Sequence, residues 1–230
     1  MTSEDLNLAE WFAEMARHLL SRDDVADTLN ETCRLAVAAI THCQEAGISQ
    51  VHRGQRIDTP AATNQIVADL HILQYELNDG PCMEAAWEEQ TVHIQDMNTD
   101  ERWPRFARAA AGRGVQSMLC FQLFTDDDTF GALNLFSDTP HAFDEYDNEV
   151  GLIFASHAAV ALAEAQTQAG LKAAIITRQQ IGEAVGILSE RHNITTAQAF
   201  SLLAQASQHR NTPLRDIAAR LVETENANRK

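Results

Sequence analysis

The chain alternates between two hydrophobic periods. From residue 4 to 20, Leu6, Ala9, Phe12, Ala13, Ala16 and Leu20 form one stripe, the spacing of an amphipathic helix. Residues 23–43 repeat the pattern with Val25, Leu29, Cys33, Ala36, Val37 and Ile40. Gly47 ends that section, and GISQVHR (47–53) predicts a first strand. NQIVADLHILQYEL (64–77) predicts a helix, closed by the turn Asn78-Asp79-Gly80-Pro81. A short helix follows over 82–90, an alternating strand over 91–97 and a helix over 101–114. VQSMLCFQLF (115–124) and FGALNLFS (130–137) read as two strands joined into a hairpin by Asp126-Asp127-Asp128.

Beyond Asp144 the pattern changes. Up to about His192 there is no proline, and Val150, Ile153, Val160, Leu171, Ala174, Ile181, Val185 and Leu188 follow a heptad-like spacing. His157, Glu164, Thr167 and Arg178 fill the intervening slots. Such a seam predicts a long helix that pairs with a partner helix. At ~1.5 Å per residue it would run roughly 70 Å, more than a small domain needs. Thr195 and Gln198 have capping-box spacing before a second helix expected to bury Ala199, Phe200, Leu203 and Ala206. Thr212 as N-cap and Pro213 at the first helical position open a last short helix, with Leu214, Ile217, Ala218 and Leu221 inward. The end of the chain therefore reads as a small three-helix bundle.

Charge divides the chain at the same place. Residues 1–165 carry nine Lys/Arg and twenty-eight Asp/Glu, a net of −19. Residues 166–230 carry eight and five, a net of +3. A polyanion would meet repulsion from the front and attraction only from the tail. No basic start leads into an apolar run, and no eighteen uncharged apolar residues occur in succession, so neither a leader nor a membrane span is expected. Cys33, Cys43, Cys82 and Cys120 form no C-x-x-C pair, which fits reduced thiols in a cytoplasmic protein. The nine histidines include no H-x-x-x-H pair, so no metal or cofactor is expected. Neither GxxxxGK[ST] nor G-x-S-x-G is present, which removes support for nucleotide or serine hydrolysis.

Residues 171–224 resemble an ANTAR domain. The matching stretches are Arg178 with IGEAVGIL (181–188), the Glu190-Arg191 step, AQAFSLLAQAS (197–207) and NTPLRDIAARLV (211–222). Two positions depart from the family pattern: Val185 stands where a lysine is frequent, and Ser189 where a methionine is. The resemblance implies a dimer that binds tandem RNA stem-loops in nascent transcripts and favours an antiterminator over a terminator hairpin. Arg178, Arg191, Arg210 and Arg215 are the candidates for phosphate or base-edge contacts, with Ser207, Gln208 and Asn211 as neutral hydrogen-bonding groups. With Phe200 assigned to the core, no aromatic platform is expected in the tail.

Residues 24–165 resemble a GAF domain, through DGPCMEAAW (79–87), DERWPRFARAA (100–110), FGALNLFS (130–137) and the closing helix (142–165). The expected architecture is an α+β GAF domain with an antiparallel sheet over 1–165, the N-terminal helix 4–20 included. A coiled-coil helix then runs into the ANTAR bundle over 166–230. GAF–ANTAR fusions of this kind are of the actinobacterial type. The resemblance implies a signal-sensing transcription antitermination regulator that is not an enzyme, pairs as a homodimer through 144–192, and has no membrane partner. A small-molecule ligand, unidentified, would sit among Trp87, Trp103, Gln116, Phe121 and Asn134, with Tyr75 and Gln122 nearby. Two alternatives stay open. One is a thiol-dependent reductase using Cys82, whose place near a helix start would favour the thiolate, with Cys120. The other is a dimeric scaffold without RNA binding.

Overall fold

A strand with apolar residues at both parities can be buried on both faces, and the sheet of this protein is organised around two of them. The structure, a computed structural model, describes residues 3–22, 24–52, 56–88 and 90–228, with side chains from Glu10 to Ala227 among them. The side chains of the expected inward positions Leu6 and Ala9 are outside those described, and Arg53, at the end of the expected first strand, lies outside the described residues. The chain divides into two units at Thr167 and Gln168.

The front unit runs α1 (Ser3–Leu20), α2 (Val25–Ala39), β1 (Glu45–His52), β2 (Arg56–Ala62), α3 (Gln65–Leu77), α4 (Pro81–Trp87), β3 (Thr91–Ile94), α5 (Pro104–Ala111), β4 (Ser117–Phe124) and β5 (Thr129–Ser137). It closes with the first half of α6 (Glu145–His192). The five strands lie in the order β2-β1-β5-β4-β3, all neighbours antiparallel. β5 is buried from Phe130 to Ser137. Odd positions of β4 and β5, among them Leu119, Phe121, Leu133 and Leu135, pack with Leu29, Cys33, Phe154 and Leu162 of α2 and α6. Even positions, Met118, Cys120, Ala132 and Phe136, pack with Val67, Leu70, Cys82 and Phe106 of α3, α4 and α5. Each buried Leu or Phe contributes about 2 kcal/mol, so both helical layers are anchored to the same two strands.

β2 is the element the sequence pattern does not predict. Its segment RIDTPAA holds one large aliphatic residue and Pro60, which cannot donate to a ladder. The strand forms because it is the sheet edge and because its register with β1 slips between Ile48 and Gln50, next to that proline. Gly131 in β5 is set by a close approach. Its φ is +138°, and a Cβ there would lie 1.8 Å from the Ser49 carbonyl oxygen.

The tail unit consists of the second half of α6, α7 (Thr196–Arg210) and α8 (Leu214–Asn228). Ala184, Leu203 and Ala218 form its centre, with Ile181, Val185, Leu188, Leu214, Ile217 and Leu221 around them. The expected Thr195–Gln198 capping box is present. α8 starts one residue away from expectation: the Pro213 carbonyl accepts from the Ile217 N–H at 3.3 Å, which makes Pro213 the capping position. α8 is also longer than the short helix expected, at 15 residues.

Two expectations about apolar positions need correction. Phe200 is not in the core but 47% exposed, because Ala199 and Leu203 take the inward positions of α7. The seam along α6 is not one stripe. Val150 belongs to the front core, and Ile181, Val185 and Leu188 pack inside the tail. What stays exposed is Ile153 and Val160 in the front unit, and Leu171, Ala174, Ile175 and Ile176 in the tail. α6 holds one 18-residue window that is long and apolar enough to cross a membrane when up to two charges are allowed, and half of that window is buried inside the protein.

These packings predict opposite effects of adding a methyl group. Gly131→Ala meets the Ser49 backbone and should lower stability by about 3 kcal/mol. Gly186→Ala meets nothing within 4 Å and should stabilise its helix by about 0.5–1 kcal/mol. Urea unfolding followed by circular dichroism measures both.

Candidate nucleic-acid interface and sensor core

Turn chemistry shapes the candidate interface on the tail. Asn211 ends α7 in the left-handed region, at φ 46° and ψ 43°, a conformation asparagine adopts readily. The Ser207 hydroxyl donates to the Thr212 carbonyl at 2.6 Å and closes the corner between α7 and α8. Ser207, Gln208, Arg210, Asn211 and Arg215 are thereby gathered at one corner. Arg210 is exposed and makes no ion pair among the described residues. Arg215 lies 3.4 Å from Asp216 across an exposed contact, an ion pair worth little. Arg178 and Arg191 are placed elsewhere. Arg178 is exposed on α6, and Arg191, near its end, is held by Glu225 of α8. Gly182 and Gly186 are exposed too, and a Cβ on either would meet nothing within 4 Å, so packing inside the tail does not require them.

In the front unit, the expected pocket residues do not share one space. Phe121 lies on the α6 side of the sheet, where a Cβ at Gly151 would come within 2.2 Å of its ring. Asn134 lies on the opposite side, paired with Cys120 in the ladder. Trp87 and Trp103 line a surface groove with Asp79, Met83, Glu84 and Glu88, and Arg102 stacks on the Trp103 ring at 4.4 Å. Gln116 accepts from the Asn98 amide at 2.8 Å near the surface, and Gln122 donates to the Ala86 carbonyl at 3.2 Å.

The structure instead assembles a buried polar network that sequence reasoning located only in Asn134 and Tyr75. Ser49, His71 and Asn134 have no exposed surface. The Asn134 amide NH2 lies 3.1 Å from Nε2 of His71 and 3.2 Å from the Ser49 hydroxyl. An NH2 group only donates, so Nε2 accepts and Nδ1 carries the proton toward Thr59 at 3.1 Å. Thr59 donates to Tyr75 at 2.9 Å, and Tyr75 donates to Ser49 at 2.9 Å. The Asn134 Oδ1 is buried and unpartnered among the described residues. The signal available in sequence was a histidine, a serine and an asparagine in otherwise apolar segments. Their convergence from β1, α3 and β5 was not visible.

With this geometry in place, the comparisons decide the family. The GAF domain model matches residues 22–163 and the ANTAR domain model residues 169–222. The chain belongs to the GAF domain family. It carries an ANTAR domain, an RNA-binding regulatory module, behind a GAF sensor module. Solved structures agree on the fold. The GAF domain of the Acinetobacter phosphoenolpyruvate-protein phosphotransferase is 17% identical, with a TM-score of 0.56 over 73% of this chain and 97% of that one. The free methionine-R-sulfoxide reductase of Neisseria meningitidis is 15% identical, with a TM-score of 0.56 over 73% and 95%. The phytochrome photosensory core module of Stigmatella aurantiaca is 11% identical, with a TM-score of 0.60 over 90% and 46%. A comparison with curated proteins found no relative.

The thiols of the GAF domain have the wrong electrostatics for a nucleophile. In the reductase alternative, Cys82 gains from the start of α4. Burial outweighs that and pushes its thiol up to about 12, while Cys120 is also raised, first by burial and then by Cys82 beside it. Cys33 and Cys43 are buried and raised to about 12 as well. A thiol with such a value is protonated at neutral pH. Among the described residues no group of three or more His, Cys, Asp or Glu side chains is placed to hold a metal.

Burial alone lowers His71 to about 3, against about 6.5 in an unfolded chain. The folded state therefore binds fewer protons. The stability from the neutral ring is complete above pH ~6.5 and is lost as pH falls toward about 3, by about 1.4 kcal/mol per unit. Nitrogen-15 NMR should show one neutral His71 ring, protonated at Nδ1, from pH 8 to 5. A His71 signal that titrates near pH 6.5 would contradict the network.

Proposed function

We propose that this protein is a homodimeric transcription antitermination regulator, in which the ANTAR domain binds paired stem-loops of nascent RNA under control of the GAF domain. The observation that carries the reading is the ANTAR match over 169–222 within the net-positive part of a chain of formal charge −16. Phosphates are drawn to the tail and repelled by the front. The α7–α8 corner, with Arg210, Asn211 and Arg215, supplies phosphate contacts and an amide for base edges, Ser207 and Gln208 support it, and Arg178 and Arg191 add charge from α6.

The second copy is assigned to the exposed side of α6. Leu171, Ile175 and Ile176 are each 57–66% exposed, and apolar side chains at such spacing gain stability when a like helix covers them. In the GAF domain the buried Asn134 oxygen is the acceptor that a small ligand with an N–H or O–H group would engage, with Ser49 and His71 beside it. Such a ligand would have to part α3 from the sheet, and that movement is the signal. The buried, protonated thiols favour this regulatory role over the reductase alternative. The place of action is the cytoplasm, where transcripts are made.

The test is a gel shift of the full chain on tandem hairpin RNA. Binding should weaken about tenfold or more between 50 and 200 mM salt. Leu171→Glu should convert the dimer to a monomer by light scattering and weaken RNA binding. A protein that binds no hairpin RNA at low salt while dimeric would leave the scaffold alternative in its place.

A further inference from the structure

Phe200 is the only aromatic residue from Gln168 to the end of the chain. It is 47% exposed on α7 rather than buried among the tail's apolar residues. One exposed phenylalanine is unremarkable by itself; its surroundings give it meaning. Between Glu190 and Asp216 there is no acidic residue in 25 positions, while Arg191, Arg210 and Arg215 fall within them. The tail's acids lie elsewhere: Glu183, Glu190 and Glu225 line a groove between α6 and α8. The tail thus has one acidic flank and one helix, α7, that holds no negative charge.

On α7, residues 200, 204, 207 and 211 follow the i, i+4, i+7, i+11 spacing of one stripe. The stripe carries the ring at one end, the small Ala204 in the middle, and Ser207 with Asn211 at the other, next to Arg210. At about 1.5 Å per residue the ring and Asn211 are about 16 Å apart along the helix.

We propose that Phe200 is a base-stacking residue: an unpaired loop base of the RNA lies on its ring while the α7–α8 corner holds the adjoining phosphates. The inference rests on the RNA-binding reading above. Every base has a flat apolar face, so stacking adds affinity without demanding one sequence. RNA loops present such bases splayed from the helix. A second protein chain would also cover an exposed phenylalanine, but a helix that holds no acid and ends on Arg210, unpaired among the described residues, complements a polyanion.

The experiment uses the full chain and tandem hairpin RNA with 2-aminopurine in one loop. Phe200→Leu keeps an apolar side chain and removes the stacking face, and Phe200→Trp keeps a stacking face. Phe200→Leu should weaken binding about tenfold or more and abolish the fluorescence quench on binding. Phe200→Trp should bind within about threefold of the parent, and both should remain dimers. If the parent binds and Phe200→Leu binds equally well, stacking is overturned and the RNA-binding reading stands. If Phe200→Leu is monomeric, the ring contacts a second copy and the proposal falls. If the parent binds no RNA, both readings fall together.

Discussion

Burial of β4 and β5 on both faces is the constraint on which the front unit depends. A strand with no wet side must satisfy every polar group it carries from within. The two parities of β4 and β5 recruit separate layers, α2 and α6 on one side and α3, α4 and α5 on the other. Asn134 is the polar exception at the middle of that sheet: its amide NH2 donates to His71 and Ser49, while its Oδ1 has no partner among the described residues. The same burial explains why the thiols are held protonated, and why His71 is held neutral. One geometric fact therefore sets the packing, the titration behaviour and the absence of a ready nucleophile among the described cysteines.

The tail obeys a different physics. Its fully buried centre is three small or medium residues, Ala184, Leu203 and Ala218, ringed by partly buried aliphatic side chains, a smaller core than either layer of the front unit. Local devices add to it: the Thr195–Gln198 capping box, the left-handed Asn211, and the Arg191–Glu225 contact from α6 to α8. A unit held in this way keeps most of its side chains at the surface. That suits a module whose task is recognition of an extended polar partner. The exposed glycines of α6 fit the same picture, since nothing within the tail packs on them.

α6 joins these two kinds of structure in one element. Its buried residues divide between two cores, and the apolar residues left over are the ones assigned to a second copy. Along the helix as a whole these three uses merge into one seam, because heptad spacing is indifferent to which neighbour each position meets.

Sequence alone determined what depends on local rules. The helix and strand segments other than β2, the capping box, the hairpin turn, the division of charge at about residue 166 and both domain resemblances were legible from spacing and residue type. Tertiary structure decided whatever depends on which face a side chain meets. Phe121 and Asn134 stand two strands' worth of pattern apart, yet parity puts them on opposite sides of the sheet, so they cannot line one pocket. β2 was hidden because an edge strand needs a partner's backbone more than its own apolar residues. Phe200 was placed inward by its spacing, but Ala199 and Leu203 were enough to fill the narrow core and turned it outward. Helical spacing fixes the angle between residues; only the volume available beneath the helix decides which of them is covered.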